Sequence, residues 1–412
     1  MFQPHRRSDR QGHVVIRSIR DIDVKGKRVL TRVDFNVPQD EAGVIIDDTR
    51  ITESLPTIRT ILDGGGIPIL MSHLGRPKGT RKVKYSLRPV AAHLAGQLPN
   101  VPVHFADDCI GPIAHTVIEE ARPGSIVVLE NLRFYAEEEA NNAAFCRQLA
   151  VLGDVYCNDA FGTAHRAHAS TAGIAHLFAE RCAGILLMKE LDYLGSALAN
   201  PKHPFVAIIG GSKISGKIDV IRSLMASCET ILIGGGMMFT FLKAQGMDVG
   251  DSLVEPDKIE LAGQLLEEAE ARNVRLLIPD DTVVATAFNN DAQRKTVHVS
   301  DIRSGWMGLD IGPKTIKTFD DVIRSAGTVL WNGPMGVFEM PNFAAGTKAI
   351  ADSMAAATAG GAVTIVGGGD SAAAIAEFGH KHHVTHVSTG GGASLEFLEG
   401  RVLPGVAALD IP

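Results

Sequence analysis

Residues 364–371 read Thr-Ile-Val-Gly-Gly-Gly-Asp-Ser. An apolar, β-branched run stops at three glycines, and an acid and a hydroxyl then open an alanine-rich helix expected from Ala372 to about Phe378. Strand, side-chain-free turn and capped helix N-terminus form one unit. Glycine lets a ligand come close to the backbone, and the first amides of a helix have no partner within it. An anion, in the first place a nucleotide phosphate, fits there, with Asp370 placed to meet its magnesium. The same residues are also compatible with a tight strand-to-helix turn that binds nothing.

The same βα rhythm extends in both directions. Toward the N-terminus, strands are expected at Thr328–Leu330, Arg275–Ile278, Thr230–Ile233 and Phe205–Ile209, with His386–Val387 following. Three of these strand ends finish in Gly-Gly-Gly, at 234–236, 367–369 and 390–392. The first half repeats the pattern with Arg28–Val37, Ile67–Met71, Ser125–Leu129 and Asp154–Asn158, and a helix is expected over Arg50–Leu62. Strands alternating with helices at this spacing imply parallel βαβ units. The expected fold is therefore α/β, with two doubly wound parallel-sheet, Rossmann-like domains. Residues 187–199 form a linker helix between them, broken by Asn200-Pro201. The expected N-terminal domain is 1–186 with 400–412, and the C-terminal domain is 200–399.

At 412 residues the chain is long enough for two cores. It is 45% hydrophobic and 21% charged, which excludes disorder. A net charge of -7 excludes a general affinity for nucleic acid. The deficit lies in the second half, whereas the first is close to neutral and holds clustered arginines, so two different ligands are expected. Five scattered cysteines without a Cys-x-x-Cys pair read as reduced thiols of a cytoplasmic protein. No apolar run of about 18 residues offers a membrane span. Met1 to about Ile19 is a polar extension without a signal-peptide core.

In the first half, Asp34, Asn36, His73, Arg76, Arg133, His165 and Arg166 all fall at or just beyond strand ends. In an open parallel sheet those ends share one edge, where ligands bind. Three arginines and two histidines converging there suit a small polyanion, because the guanidinium fork pairs two oxygens at once.

Some motifs mislead. Residues 211–217 have Walker A spacing, but Ile218 stands where the magnesium-binding hydroxyl belongs. What survives is a pair of ammonium groups, Lys213 and Lys217, which would share a face if a helix starts here. Residues 367–372 also fit the loose Gly-x-Gly-x-x-Ala pattern, which leaves a dehydrogenase as an alternative, although no acid follows at the required spacing. His165 and His168 lack the partners of a metal site. The run His380, His382, His383 and His386 is expected on a solvated loop.

Eight stretches in register carry a resemblance. They are Arg-Val-Asp-Phe-Asn-Val-Pro (32–38), Ser-His-Leu-Gly-Arg-Pro (72–77), Glu-Asn-Leu-Arg-Phe (130–134) and Asn-Asp-Ala-Phe-Gly-Thr-Ala-His-Arg-Ala-His (158–168). Gly-Gly-Ser-Lys (210–213), Trp-Asn-Gly-Pro-Met-Gly-Val-Phe-Glu (331–339), Gly-Gly-Gly-Asp-Ser (367–371) and Ser-Thr-Gly-Gly-Gly-Ala-Ser-Leu-Glu (388–396) follow. In these the chain resembles the phosphoglycerate kinases. The resemblance implies reversible phosphoryl transfer between 1,3-bisphosphoglycerate and ADP, with magnesium as cofactor, by a monomer. It implies that Asp34, Asn36, Arg50, His73, Arg76, Arg133, His165 and Arg166 hold the phosphoglycerate. The nucleotide would be held by Gly211, Ser212, Lys213, Lys217, Gly236, Gly312, Asn332, Pro334, Glu339, Gly368, Gly369, Asp370 and Ser371, with Asp370 toward the metal. Arg50, Lys213 and Lys217 would act on the transferred group. Ser212, Met335 and Ser371 depart from the commoner family residues.

Overall fold

The computed structural model describes residues 16–410, so most of the N-terminal extension lies outside the described residues. The chain packs as two units: one runs through Lys189 and takes back the segment from Val402, and the other is Glu190–Arg401.

The first unit is built on six parallel strands: β1 Arg28–Arg32, β2 Ile67–Met71, β3 Val103–Ala106, β4 Ile126–Leu129, β5 Val155–Asn158 and β6 Arg181–Ala183. Their order is β3-β4-β2-β1-β5-β6. β2, β4 and β5 are buried along their whole length, as expected of strands covered on both faces. Helix Thr49–Asp63 lays Ile51, Ser54, Ile58 and Ile61 against the sheet at helical spacing. It ends at Gly64, where a Cβ would lie 2.6 Å from Val24 Cγ2.

The second unit has its own six-stranded parallel sheet. The strands are β7 Phe205–Ile209, β8 Thr230–Ile233, β9 Arg275–Leu277, β13 Thr328–Asn332, β14 Val363–Gly367 and β15 His386–Val387, in the order β15-β14-β13-β7-β8-β9. Between β9 and β13 the chain adds an antiparallel ladder of β10 Asp281–Ala285, β11 Arg294–His298 and β12 Met307–Ile311. The sequence reading did not anticipate this ladder, nor the edge strands β3 and β6. β11 is largely exposed and charged, so it lacks the apolar run by which the others were found.

Four expectations are corrected. The strand expected to reach Val37 stops at Arg32, because beyond Val33 side chains take over the ladder's role: Phe35 N donates to Ser72 Oγ at 2.8 Å. The helix expected from Ala372 begins at Gly369, with Gly368 at the cap position and no side chain capping it. Lys213 and Lys217 share no helix face, because that helix starts only at Ile218. His386 is not on a solvated loop; it is buried in β15, and its Nε2 lies 2.8 Å from the buried Glu190 carboxylate.

Helix Ile185–Ala199 crosses the boundary between the units. Its first amides are satisfied from a distance: Ile185 N donates to Thr57 Oγ1 at 2.8 Å, and Leu186 N to Asp159 Oδ1 at 2.9 Å. Among the described residues no helix is long and apolar enough to cross a membrane, and all five cysteines are buried and free.

Candidate active site

In the first unit the carboxyl ends of β4, β2, β1 and β5, four neighbours in the sheet, carry the predicted polar residues. Asp34 follows β1, and its Oδ2 accepts a 2.7 Å bond from Arg50 Nη1, in the first turn of helix Thr49–Asp63. Asn36 Oδ1 accepts from Gly75 N at 2.8 Å, which ties the loop after β1 to the loop after β2. Arg133 sits on the 3-10 turn Leu132–Phe134 after β4 and is 4% exposed. Its Nη1 donates to Gly75 O at 3.0 Å, while its buried Nη2 has no hydrogen-bond partner. An unpaired, buried guanidinium nitrogen is costly, and an anion in the site would satisfy it. After β5, Arg166 Nε donates to His165 Nε2 at 3.1 Å. Arg76 is exposed on the loop after β2.

Buried His73 shows how tightly the cations are drawn together. Its pKa is held well below the ordinary histidine value, first by burial and then by Arg32, Arg133, Arg50 and Arg166. His168 is lowered to about 4 by burial and by Arg133, Arg32, Arg166 and His165. Both imidazoles therefore stay neutral near pH 7 inside a strongly positive field.

Arg32, which the sequence reading passed over, organises this site from below. It is 1% exposed at the end of β1. Its Nη2 meets His73 Nδ1 at 3.1 Å, and because a guanidinium only donates, His73 must accept through Nδ1 and carry its proton on Nε2. Arg32 Nε donates to Ser170 Oγ at 2.8 Å, and Ser170 Oγ donates in turn to the buried Glu138 at 2.5 Å. The available signal was the charge itself: a strand buried on both faces has no water for an arginine.

In the second unit all strands of the six-stranded sheet are parallel, but the order in which they are added reverses between β7 and β13: β8 and β9 follow β7 toward one edge of the sheet, and β14 and β15 follow β13 toward the other. The crevice at such a reversal is where open sheets bind ligands. A cavity of about 710 Å³ opens there. Of the predicted nucleotide residues, Gly211, Ser212, Gly236, Pro334, Glu339 and Asp370 line it. Gly210 and Gly333 let the backbones after β7 and β13 touch: a Cβ on Gly210 would lie 2.2 Å from Pro334 O, and one on Gly333 2.3 Å from Gly210 O. Gly368, at φ +90°, turns the chain into the helix that presents exposed Gly369 and Asp370.

Asn332, Lys217 and Ser371 stand just behind this lining. Lys217 Nζ is bonded to Asn332 Oδ1, and Asn332 Nδ2 donates to Gly367 O at 2.9 Å. Ser371 Oγ does not cap its helix; it accepts from Gly333 N at 2.6 Å and so joins the helix after β14 to the loop after β13. Burial pushes Lys217 down to about 8, against the opposing pull of Asp370 and Glu399. Lys213 is exposed. Gly312 lies apart from the lining, at the start of helix Pro313–Arg324, where a Cβ would meet the Asp281 carboxylate at 2.3 Å. The lining glycine of that stretch is Gly308.

The sequence reading also missed the apolar wall of the cavity: Phe239, Phe288, Met307 and Leu309, with Leu253 and Met340. Met307, Gly308 and Leu309 belong to β12, a strand of the unanticipated ladder. Nothing in the local pattern marks these side chains as ligand-facing rather than core. Burial pushes the Asp310 carboxyl, at the foot of this wall, up to about 7.

Comparison with known proteins gives one answer. The phosphoglycerate kinase family profile matches residues 19–401. A phosphoglycerate kinase of Chlorobaculum tepidum is 59% identical over 394 residues, spanning 96% of this chain and 99% of its own. That of Chloroflexus aurantiacus is 58% identical over 394 residues, spanning 95% and 98%. Among solved structures, phosphoglycerate kinase from Coxiella burnetii superposes with a TM-score of 0.87 at 40% identity, covering 96% of this chain and 99% of that one. The enzyme from Pyrococcus horikoshii gives 0.79 at 31%, covering 96% and 98%. Matched over nearly its whole length in sequence and in fold, the chain belongs to the phosphoglycerate kinase family, the glycolytic kinases that interconvert 1,3-bisphosphoglycerate and ADP with 3-phosphoglycerate and ATP.

Proposed function

We propose that the two units divide the substrates of this reaction. The first unit holds the phosphoglycerate through Asp34, Asn36, Arg50, His73, Arg76, Arg133, His165 and Arg166. The second holds the nucleotide, with its base in the apolar slot and its phosphates toward Gly211, Ser212, Lys213, Lys217 and the helix that starts at Gly369. The observation that carries this reading is the contrast between the two edges. One gathers arginines around a buried, unpartnered guanidinium nitrogen; the other pairs an apolar cavity with bare glycine backbone. A phosphorylated hydroxy acid matches the first, and a flat base with a polyphosphate tail matches the second.

Asp370 fits the magnesium that accompanies the nucleotide: it offers hard carboxylate oxygens, is exposed, and sits in the first turn of the helix beside the cavity. The metal would offset charge on the phosphate oxygens. In the forward direction an ADP oxygen attacks the acyl phosphorus, and the phosphoglycerate carboxylate leaves with the bonding pair. In-line transfer needs attacking and leaving oxygens on opposite sides of one phosphorus, with the charge between them neutralised. Arg50 from one unit and Lys213 and Lys217 from the other supply that charge once the units close about helix Ile185–Ala199. Closure also excludes the water that would hydrolyse the acyl phosphate. No phosphoenzyme is required. The free buried thiols accord with a reducing cytoplasm, and a monomer is sufficient, since both half-sites are on one chain.

The deciding experiment is a coupled assay with 3-phosphoglycerate and magnesium-ATP. Turnover is expected; nucleotide binding without turnover would leave only a silent scaffold. Arg76→Ala is expected to raise KM for 3-phosphoglycerate and to leave ADP affinity unchanged. A fall in ADP affinity instead would break the division of substrates between the units.

Lys217 adds a proton signature. Its lowered pKa of about 8 means that at pH 8.5 the free protein carries much of this side chain neutral. Phosphate oxygens favour the ammonium, so ADP binding draws in a proton there. Calorimetric titrations at pH 8.5 should give binding enthalpies that depend on the ionisation enthalpy of the buffer. The dependence at pH 8.5, where the ADP phosphate is already fully ionised, should be absent in Lys217→Arg. Equal enthalpies in all buffers at pH 8.5 would remove Lys217 from the phosphate site.

A further inference from the structure

Past the helix Gly369–Glu377, the chain turns at Gly379 and presents His380 and His383. His383 N donates to His380 O at 2.9 Å, which closes the turn and brings the two imidazoles together. Their Nδ1 atoms lie 3.4 Å apart, with ring planes at 62°. Two nitrogens each roughly 2.1 Å from a tetrahedral zinc ion are separated by about this distance. The tautomer is fixed independently. His380 Nε2 lies 2.7 Å from Asp352 Oδ1, so the proton belongs on Nε2 and the Nδ1 lone pair faces His383. Asp352 is itself held by Lys348 Nζ at 2.7 Å. A carboxylate on the far nitrogen of a histidine is the outer support that metal-ligating imidazoles commonly have.

We propose that His380 and His383 form a surface site for a transition-metal dication of the zinc class, with Asp352 as its outer carboxylate. No group of three or more His, Cys, Asp or Glu side chains surrounds a point among the described residues, so water fills the remaining positions. Two imidazole nitrogens select zinc, nickel or copper over magnesium, which demands oxygen ligands. The site is thus chemically separate from the nucleotide's metal at Asp370. Because Asp352 belongs to helix Ala345–Ala359, an ion here would tie that helix to the turn at His380.

The test uses the full chain, with zinc chloride titrated calorimetrically in excess magnesium. Magnesium is expected not to compete. His383→Gln should remove one zinc equivalent, Asp352→Asn should weaken it roughly tenfold, and His104→Gln, an exposed histidine elsewhere, should change nothing. The variants should retain wild-type circular dichroism and wild-type turnover with ADP. The same zinc stoichiometry and affinity in His383→Gln as in the wild type, or displacement by magnesium, would overturn the site and leave the pair as an ordinary hydrogen bond.

Discussion

Arg50→Ala is expected to lower turnover by about a thousandfold, with ADP affinity unchanged. Arg50 donates one nitrogen to Asp34, and the rest of its fork makes no other hydrogen bond among the described residues. In the proposed role, that arrangement would let the side chain, already held by Asp34, meet charge developing on the phosphoryl group without being repositioned itself. Arg50→Lys should recover only part of the rate, since an ammonium keeps the charge but loses the planar fork. Alanine also leaves Asp34 with one partner fewer, so the variant needs a folding control. Asp34 is 8% exposed, and His73 Nδ1, 3.8 Å away, is neutral. A loss of about 1–3 kcal/mol in stability is compatible with a folded protein, and circular dichroism at the assay temperature checks it. A folded Arg50→Ala variant with near-normal turnover would remove this residue from the chemistry. Lys213→Ala carries the same expectation from the other unit, because an exposed lysine has little structural part to play.

Gly333→Ala should be the most damaging small change in the second unit. The backbone there has φ +98°, a region that side chains rarely enter, and a Cβ would stand 2.3 Å from Gly210 O. Strain and overpacking each cost about 1–3 kcal/mol, and here both act at one atom. The loops after β7 and β13 would separate, and with them the Gly210 N to Asn332 O bond of 2.9 Å that closes the crevice. A loss of about 3 kcal/mol or more is expected, with nucleotide binding abolished even where the chain stays folded. Gly369→Ala is the matched control. A Cβ there meets nothing within 4 Å, and the position is an ordinary first turn of a helix, so its stability should hold. Equal melting temperatures for Gly333→Ala and Gly369→Ala would show that the close approach of the two loops carries no weight.

Which parts of the site were legible follows from where the information sits along the chain. Asp34, His73, Arg133 and Arg166 were readable because each stands just beyond an apolar run, and in a parallel sheet the ends of such runs share one edge. Lys217 was readable as a charge, but not as a half-buried group bonded to Asn332; the loop Gly210–Gly216 had to be folded first to show that no helix face carries it. Arg32 was hidden because it lies inside a run that otherwise reads as ordinary strand. The apolar wall of the cavity was hidden for a different reason. Phe239, Met307 and Leu309 have the same pattern whether they face core or cavity, and they come from elements far apart in sequence.

The sequence by itself determined the parallel α/β architecture, the two groups of strand-end residues and the family, because period, punctuation and motif are all local properties of the chain. Only the tertiary structure decided the orders β3-β4-β2-β1-β5-β6 and β15-β14-β13-β7-β8-β9, the buried Arg32–Ser170–Glu138 support and the apolar slot. The physical reason is that strand neighbours, burial of a charge and the walls of a cavity depend on contacts between segments distant in sequence. Such contacts leave no period or spacing behind them in the chain.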